Sequence, residues 1–417
     1  MAMDQPPFRI ETCNAAKREP GLTIFNVRPG GAADRTTPGG WLLGIEQDGD
    51  TAFCRASKMP PQDTKTMPNG NILSASTNGE TMTEMTLGGE VVRQWYAAGK
   101  WTGKTPPLGA IRVDAALFHH RINLLPDGNM LLLSLEIREF DNWPSSDTDA
   151  DAPLETAQLA GDVVLEVSPD HGTIVNRWHL FDLLDPYRLC YGSRAKYWER
   201  RGFPGTMDWC HTNAVSHDPS DDSLLLSLRH QDCIVKVSRT TGELVWILGD
   251  PANWRRPWAD KLLTPVGDLS WQYHQHDCTA TPRGTILCFD NGNYRATPFD
   301  DKLPPEDNRS RLVEFAIDAA AGTVEQVWEW DGGKDSIYAC YQGGAFRLPE
   351  TGNTLMTYGG IVTVDGVPGD IAETGFCQSR IVEVTPSGEV VFDLHIDGSA
   401  DNLPLSAFRA EHYPARD

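Results

Sequence analysis

Residues 381–394 read IVEVTPSGEVVFDL. Apolar and polar residues alternate over Ile381–Val384 and resume from Val390, and Thr-Pro-Ser-Gly lies between them. Period-two alternation on both sides of a turn that ends in glycine is the pattern of a β-hairpin. The same pattern recurs upstream as LLGIEQDGDTAF (42–53), EMTLGGEVVRQW (84–95), VLEVSPDHGTIVNRW (164–178), IVKVSRTTGELVWI (234–247) and LVEFAIDAAAGTVEQVW (312–328). The turn glycines are Gly49, Gly89, Gly172, Gly242, Gly322 and Gly388. An aromatic follows each by four or six residues: Phe53, Trp95, Trp178, Trp246, Trp328 and Phe392. Both spacings are even, so all six aromatics lie on the same face of their strands.

A second hairpin precedes most copies, at 65–76, 121–135, 213–228, 278–289 and 345–358. Two hairpins make a four-stranded sheet, and such sheets arranged radially make a β-propeller. The expected fold is therefore all-β, a six-bladed β-propeller with four-stranded blades and long loop insertions. The first outer hairpin lacks a clear inner partner; Leu22–Arg28 and the stretch around Phe408–Tyr413 are placed to complete it and close the ring. The insertions are expected at Glu139–Gly161, Phe181–Met207, Asp250–Tyr273 and Tyr294–Asn308. Short helix is expected only at Phe181–Leu184 and Ala195–Arg200. Residues 1–21 are read as an N-terminal arm and 22–417 as one propeller domain.

The chain carries 58 acidic against 36 basic side chains, a net charge of −22 over 417 residues. That sign disfavours nucleic acid and anionic lipid as partners. The nine cysteines are scattered and form no CxxC pair, which argues against a disulfide scaffold or a cysteine zinc site. The first residues show no apolar signal segment, and no run reaches the roughly 18 apolar residues of a membrane span. The expectation is a cytoplasmic protein bound neither to membrane nor to nucleic acid. The sequence does not set its oligomeric state.

Counting back from the inner-turn prolines locates equivalent positions at the entrance of each blade's first strand. His120 lies six residues before Pro126, His276 six before Pro282, Gln62 six before Pro68, and His211 eight before Pro219 in a longer turn. Tyr341 and Gln342 precede Pro349 by eight and seven. These residues should ring one mouth of the central channel, where several titratable groups converge to tune one another. His119 and His274 are out of phase and read as structural. Arg229 and His230 end one inner strand, and Asn291 and Arg295 follow another. An arginine fork suits a carboxylate, sulfate, phosphate or phenolate. Asp208 stands where it can fix the His211 tautomer. No cofactor is expected, although three imidazoles with an open position can hold a zinc ion in the channel. There is no phosphate-binding glycine loop, GxSxG elbow or HExxH motif.

Three segments resemble the bacterial arylsulfate sulfotransferases. Asp208-Trp209-Cys210-His211-Thr212-Asn213-Ala214-Val215 resembles their DW-x-H-x-N-x-V motif. Arg229-His230-Gln231, followed by Trp246-Ile247-Leu248-Gly249, resembles their RHQ–strand–WILG segment. Gln275-His276, followed by Phe289-Asp290-Asn291-Gly292 and Arg295, resembles their QH…FDNG-x-x-R block. The resemblance runs from about Leu42 to Val391. It implies a six-bladed propeller with its site in the central channel and transfer of a sulfuryl group between phenols through a sulfohistidine, without a nucleotide donor. It also implies active-site roles for His211 and His276 and a sulfuryl-gripping role for Arg295. The family's nucleophilic histidine follows a Gly-Gly pair in the last blade; here Gly359-Gly360 is followed by Ile361-Val362-Thr363, with Thr363 about where that histidine belongs.

The departure at Thr363 makes a lyase the first expectation, with no sulfohistidine. It would cleave a C–O or C–C bond of a small phenolic or aromatic compound, by elimination or retro-aldol-type chemistry. His211, His276 and His120 would move protons while Arg229 steadies developing negative charge. Arg295, Asn291, His230, Gln62, Gln342 and Tyr341 would bind the aromatic substrate. The alternatives are a nucleotide-independent arylsulfate sulfotransferase, a uronate or glycoside lyase, and a non-catalytic interaction propeller, since the fold alone fixes no function.

Overall fold

The computed structural model describes residues 4–30, 39–59, 61–370 and 375–415. All six turn glycines adopt left-handed backbone, with φ from +66° at Gly172 to +99° at Gly49. Any other L-residue is strained there, which is why glycine closes each outer hairpin. The strands that these turns join fall into six sheets among the described residues.

The first sheet holds Gly21–Pro29, Gly40–Ile45 and Thr51–Ser57, with Ala410–Pro414 paired antiparallel to Gly21–Pro29, so both ends of the chain meet in one sheet. The second runs Pro61–Thr66, Ile72–Ser76, Thr81–Met85, Val91–Ala97. The third runs His119–Leu124, Met130–Pro144, Leu154–Val167, Ile174–His179. The fourth runs Thr212–Asp218, Ser223–Leu228, Cys233–Ser238, Leu244–Gly249. The fifth runs His276–Ala280, Ile286–Asp290, Arg311–Asp318, Thr323–Trp330. The sixth runs Gly344–Arg347, Thr354–Val364, Phe376–Val384, Val390–Ile396. The all-β expectation therefore stands.

Each sheet packs face to face on the next through an apolar layer, and the sixth packs on the first. Leu22, Ile24 and Leu42 meet Ile72; Trp95 and Leu73 meet Met130 and Leu165; Trp178 and Val164 meet Leu224 and Val235. Trp246 and Leu225 meet Cys288 and Val313; Phe289 and Leu312 meet Met356 and Val382; Phe392 and Ile381 meet Phe25 and Leu43. The six in-phase aromatics thus all lie in these layers. At about 25 cal/mol per Å² and 150–250 Å² each, a fully buried Trp or Phe contributes about 4–6 kcal/mol before the cost of ordering it.

The expectation of four strands per sheet holds only for the fourth among the described residues; the others have five or six, for example Ile111–Val113 added to the second, Thr206–Asp208 to the third and Thr264–Pro265 to the fifth. Two further regions differ from the sequence expectation. The stretch 139–161 is not a loop: Met130–Pro144 and Leu154–Val167 stay paired as far as Pro144 and Leu154. Trp143, Ala157 and Leu159 are buried against Phe181 and Trp209, which gives this long hairpin an apolar face. Phe8–Cys13, within the expected arm, pairs antiparallel with Val390–Ile396 and adds an outer strand to the sixth sheet. Helix is confined to Leu180–Leu183 and short 3-10 turns, and no helix among the described residues is long and apolar enough to cross a membrane.

The innermost strands of successive sheets adjoin, and Ala410–Pro414 adjoins both Pro61–Thr66 and Thr354–Val364. Four of them carry a register irregularity at their entrance: between Pro61 and Thr64, His119 and Asn123, Thr212 and Ala214, and His276 and Cys278. Such bulges bend a strand and re-aim its side chains, and they concentrate next to active sites. Three of the four sit at histidines, His120, His211 and His276, and the fourth at Gln62.

Candidate active site

The bulged entrances bring the three histidines together. The His120 ring lies 4.8 Å from that of His211 and 5.9 Å from that of His276, centroid to centroid. His120 and His211 hold left-handed backbone, with φ of +53° and +48°, as do Asp277 at +82° and Gln342 at +59°. Strain of this kind costs about 1–3 kcal/mol per residue and persists where the surrounding structure over-determines it. His230, in the turn Arg229–Gln231 that follows Ser223–Leu228, packs its ring 4.7 Å from His211. Arg229 reaches across to the sixth sheet and donates Nη2–H to the Cys340 carbonyl at 2.9 Å.

The other sequence candidates divide. The Gln342 amide, in the orientation its neighbours satisfy, accepts from the Arg28 guanidinium and donates to the Ala407 carbonyl. Tyr341 sets its hydroxyl 3.1 Å from Cys377 Sγ. Asn291 is a brace: its Nδ2 donates to the carbonyls of Ala339 (2.7 Å) and Gln342 (3.0 Å). Gln62 is buried at the head of Pro61–Thr66. The guanidinium of Arg295 is held within the fifth sheet and its loop, by Asn308 Oδ1 (3.1 Å), Asp290 Oδ2 (3.1 Å) and the Arg309 carbonyl (2.8 Å). Thr363 is half-buried on Thr354–Val364, paired with Phe376 and Pro368.

Each histidine of the cluster has its δ-nitrogen committed. Nδ1 of His211 lies 2.5 Å from Asp208 Oδ2, and Nδ1 of His276 lies 2.7 Å from the Gly343 carbonyl, which can only accept. His230 places Nδ1 2.9 Å from the Asp208 carbonyl, and His120 Nδ1 lies 2.8 Å from Nδ1 of His119. Fixing Nδ1–H leaves Nε2 as the bare lone pair of a neutral ring. The rings are held neutral. Burial pushes His120, His211, His230 and His276 well below the usual imidazole range; Arg229 beside His211 and Arg409 beside His276 add to it, and the crowding of His120 with His211 disfavours a charge on either. Burial also raises Asp208 to about 6, although His230 and the Trp198 indole N–H, 2.8 Å from Oδ1, oppose the rise.

Several contributors had weaker sequence signals. His119, adjacent to His120, is part of the cluster through its ring nitrogen. His274, read as structural, sets its ring 5.9 Å from His230. Tyr197 and Arg201 come from the insertion before His211; the Tyr197 ring lies 4.7 Å from His211, and the Arg201 guanidinium lies 3.6 Å from the Tyr197 centroid. Phe408, beside the C-terminal strand, packs 5.2 Å from His276 and 5.9 Å from His120. Asp208, His211 and His230 each bring a ligand-type atom within 4.8 Å of the other two.

Beneath the histidines lies a buried layer of opposite charges. Arg409 Nη1 donates to Asp63 Oδ1 at 3.1 Å, and its Nε lies 3.2 Å from Asp277 Oδ2. Arg121 donates to Asp277, and Asp63 also accepts the Ile122 N–H at 2.9 Å. These four residues come from the first, second, third and fifth sheets.

A neutral imidazole with a free Nε2 can accept a proton or attack an electrophile, and arginines around it can hold an anion. Over 244 residues, 48% of this chain and 40% of the relative, the sequence is 31% identical to the arylsulfate sulfotransferase AssT of Escherichia coli O6:H1. Over 221 residues, 43% of this chain and 36% of the relative, it is 30% identical to the AssT of Lelliottia amnigena. The matched region thus spans well under half the length of either relative. Among solved structures, a Bacteroides caccae protein of unknown function aligns over 93% of this chain and 98% of its own at 11% identity, with a TM-score of 0.47. A periplasmic gluconolactonase of Pseudomonas aeruginosa aligns over 94% and 100% at 14% identity, with a TM-score of 0.41. The model of the arylsulfotransferase (ASST) family matches residues 16–404, which takes in strands of every one of the six sheets and the clustered histidines, and the chain belongs to that family.

Proposed function

We propose that this protein is a nucleotide-independent sulfotransferase that moves a sulfuryl group from an aryl sulfate to a phenol. The observation that carries the reading is the cluster itself, in a chain of this family: neutral imidazoles with their δ-nitrogens tied back and Arg229 beside them. His211, His230 and His276 lie in the segments that resemble the sulfotransferase motifs, and Arg229 acts on all three electrostatically. The six sheets are read as the blades of a six-bladed propeller, with this cluster at one mouth of its channel. Tyr197, whose ring lies 4.7 Å from that of His211, supplies aromatic surface for a phenolic ring.

In this reading the bound sulfate ester replaces the solvent around Arg229, and the departing phenolate is stabilised by that guanidinium. A bare Nε2 takes the proton of the acceptor phenol. Family membership favours transfer over the lyase chemistry expected from the sequence. The lyase remains the second reading, favoured by Thr363, a hydroxyl where the resemblance places a histidine. Incubation with nitrophenyl sulfate and a phenol separates the two. Transfer gives nitrophenol release that needs the acceptor and yields its sulfate ester; no release with any acceptor removes the proposal.

A further inference from the structure

We propose that His120 is the residue that takes the sulfuryl group in this chain, and that His119, backed by Asp162, is the positioning residue that holds its ring for attack. The inference rests on the transfer reading and deepens it.

His119 Nε2 lies 3.0 Å from the Ser134 carbonyl oxygen, which has no hydrogen to give. His119 Nε2 therefore carries a hydrogen. Burial holds His119 below the ordinary imidazole pKa, so the ring is neutral and its Nδ1 is a bare acceptor. That Nδ1 is 2.8 Å from Nδ1 of His120, which must then be the donor. A neutral His120 with Nδ1–H has its lone pair on Nε2. The ring stands between His211 and His276, with Tyr197 and Phe408 as further neighbours at 6.3 and 5.9 Å. Its left-handed backbone at the bulge sets that direction.

The second partner is Asp162. Its Oδ1 lies 3.4 Å from His119 Nε2, and Cys210 Sγ (3.1 Å) and the Thr212 N–H hold its other oxygen. The order is nucleophile, imidazole, carboxylate, all within the third sheet. Third-group orientation of this kind activates nucleophiles in general.

The step balances as follows. The Nε2 lone pair of His120 forms a bond to sulfur, the sulfur–aryloxy bond breaks, and its electron pair leaves on the phenolate, which is protonated by solvent. The His120 ring gains positive charge, which its Nδ1–H shares with His119 and, through it, with Asp162. On return the acceptor phenol loses its proton to a neighbouring imidazole, its oxygen bonds to sulfur, and the nitrogen–sulfur pair goes back to Nε2.

The test combines ring-nitrogen NMR of histidine-labelled protein with peptide mapping after an acid-free quench with nitrophenyl sulfate. The expected results are a His120 protonated on Nδ1 in the free protein and a sulfuryl group on the peptide bearing His120, lost in His120→Gln. His119→Phe should scramble the His120 tautomer and slow transfer by about 10–100-fold, the usual cost of losing an orienting partner. His119→Asn, whose amide oxygen can accept from Nδ1, should restore most of both. A sulfuryl group mapped to His211, His230 or His276, or a wild-type His120 protonated on Nε2, overturns the role of His120 alone. A protein that takes up no sulfuryl group overturns the transfer reading and this role with it.

Discussion

Two buried polar layers lie one beneath the other, and they are built on opposite principles. In the upper layer His120, His211, His230 and His276 are neutral, with their δ-nitrogens tied to a backbone carbonyl, a carboxylate or another imidazole. In the lower layer Asp63, Arg121, Asp277 and Arg409 are ion-paired across four sheets. Burial opposes the charge on Arg121, and Asp277 and Asp63 more than offset that penalty. The contrast teaches where reactivity comes from. Opposite charges buried together hold one another across the sheets, so the lower layer fastens them. A neutral ring with one nitrogen engaged keeps the other for a substrate.

Breaking the lower layer should give the largest effect. Arg121→Met removes a partner of Asp277 and is expected to destabilise the fold by about 3–5 kcal/mol, read by urea unfolding. The remaining folded protein should still transfer sulfuryl groups. A stability unchanged from wild type would mean the layer is no fastener. Next comes Asp208→Asn, which removes the carboxylate that fixes His211. Phenol release should fall by about 10²–10⁴-fold with little change in the melting temperature. A large fall in stability with intact turnover would move Asp208 to the structural layer.

Acid should separate the layers without mutation. The unfolded chain protonates its histidines near pH 6.5, about the unperturbed value. The folded rings resist until well below it. Below about pH 6.5 the unfolded state thus binds more protons, and stability falls as pH falls. Asp208 works the other way: raised to about 6, it binds its proton in the folded state first and offsets part of the loss below that pH. Urea unfolding at a series of pH values should show a decline that starts near pH 6.5, and kcat/KM should fall below about pH 6 as Asp208 takes up a proton. A stability that does not decline below pH 6.5 would mean the rings are ordinary. The smallest effect is expected from Lys65→Gln. Its pair with Glu411 at 2.6 Å is partly open to solvent, so its loss should cost about 0.5–1 kcal/mol. A cost equal to that of Arg121→Met would break the link between burial and fastening.

The upper layer was largely legible in the sequence, and the lower was not. His120, His211 and His276 stand at equal repeat positions, and counting from the turn prolines sufficed to place them. The chain closure was legible for the same reason: an unpaired outer hairpin needed both Leu22–Arg28 and the stretch near Tyr413. His119 was hidden by strand alternation, because the bulge between His119 and Asn123 breaks the parity that would have turned it away. Asp63 and Arg409 lie 346 residues apart, one per sheet, and no local pattern links them. Phe8–Cys13 escaped because its exposed edge alternates with charged residues and resembles an arm. Arg295 was placed by motif, but Asp290 and Asn308, which hold it, exert their effect only once the fifth sheet is assembled.

His276 and Asp277 are neighbours in sequence, one in each layer, and they give the most direct measurement. His276→Gln and Asp277→Asn are compared by urea unfolding and by nitrophenol release from nitrophenyl sulfate in the presence of a phenol. His276→Gln should keep its stability within about 1 kcal/mol and lose about 10²–10⁴-fold in release. Asp277→Asn should lose stability by several kcal/mol. The reverse pattern, an active His276→Gln beside a stable Asp277→Asn, would contradict the assignment of chemistry to the histidine layer.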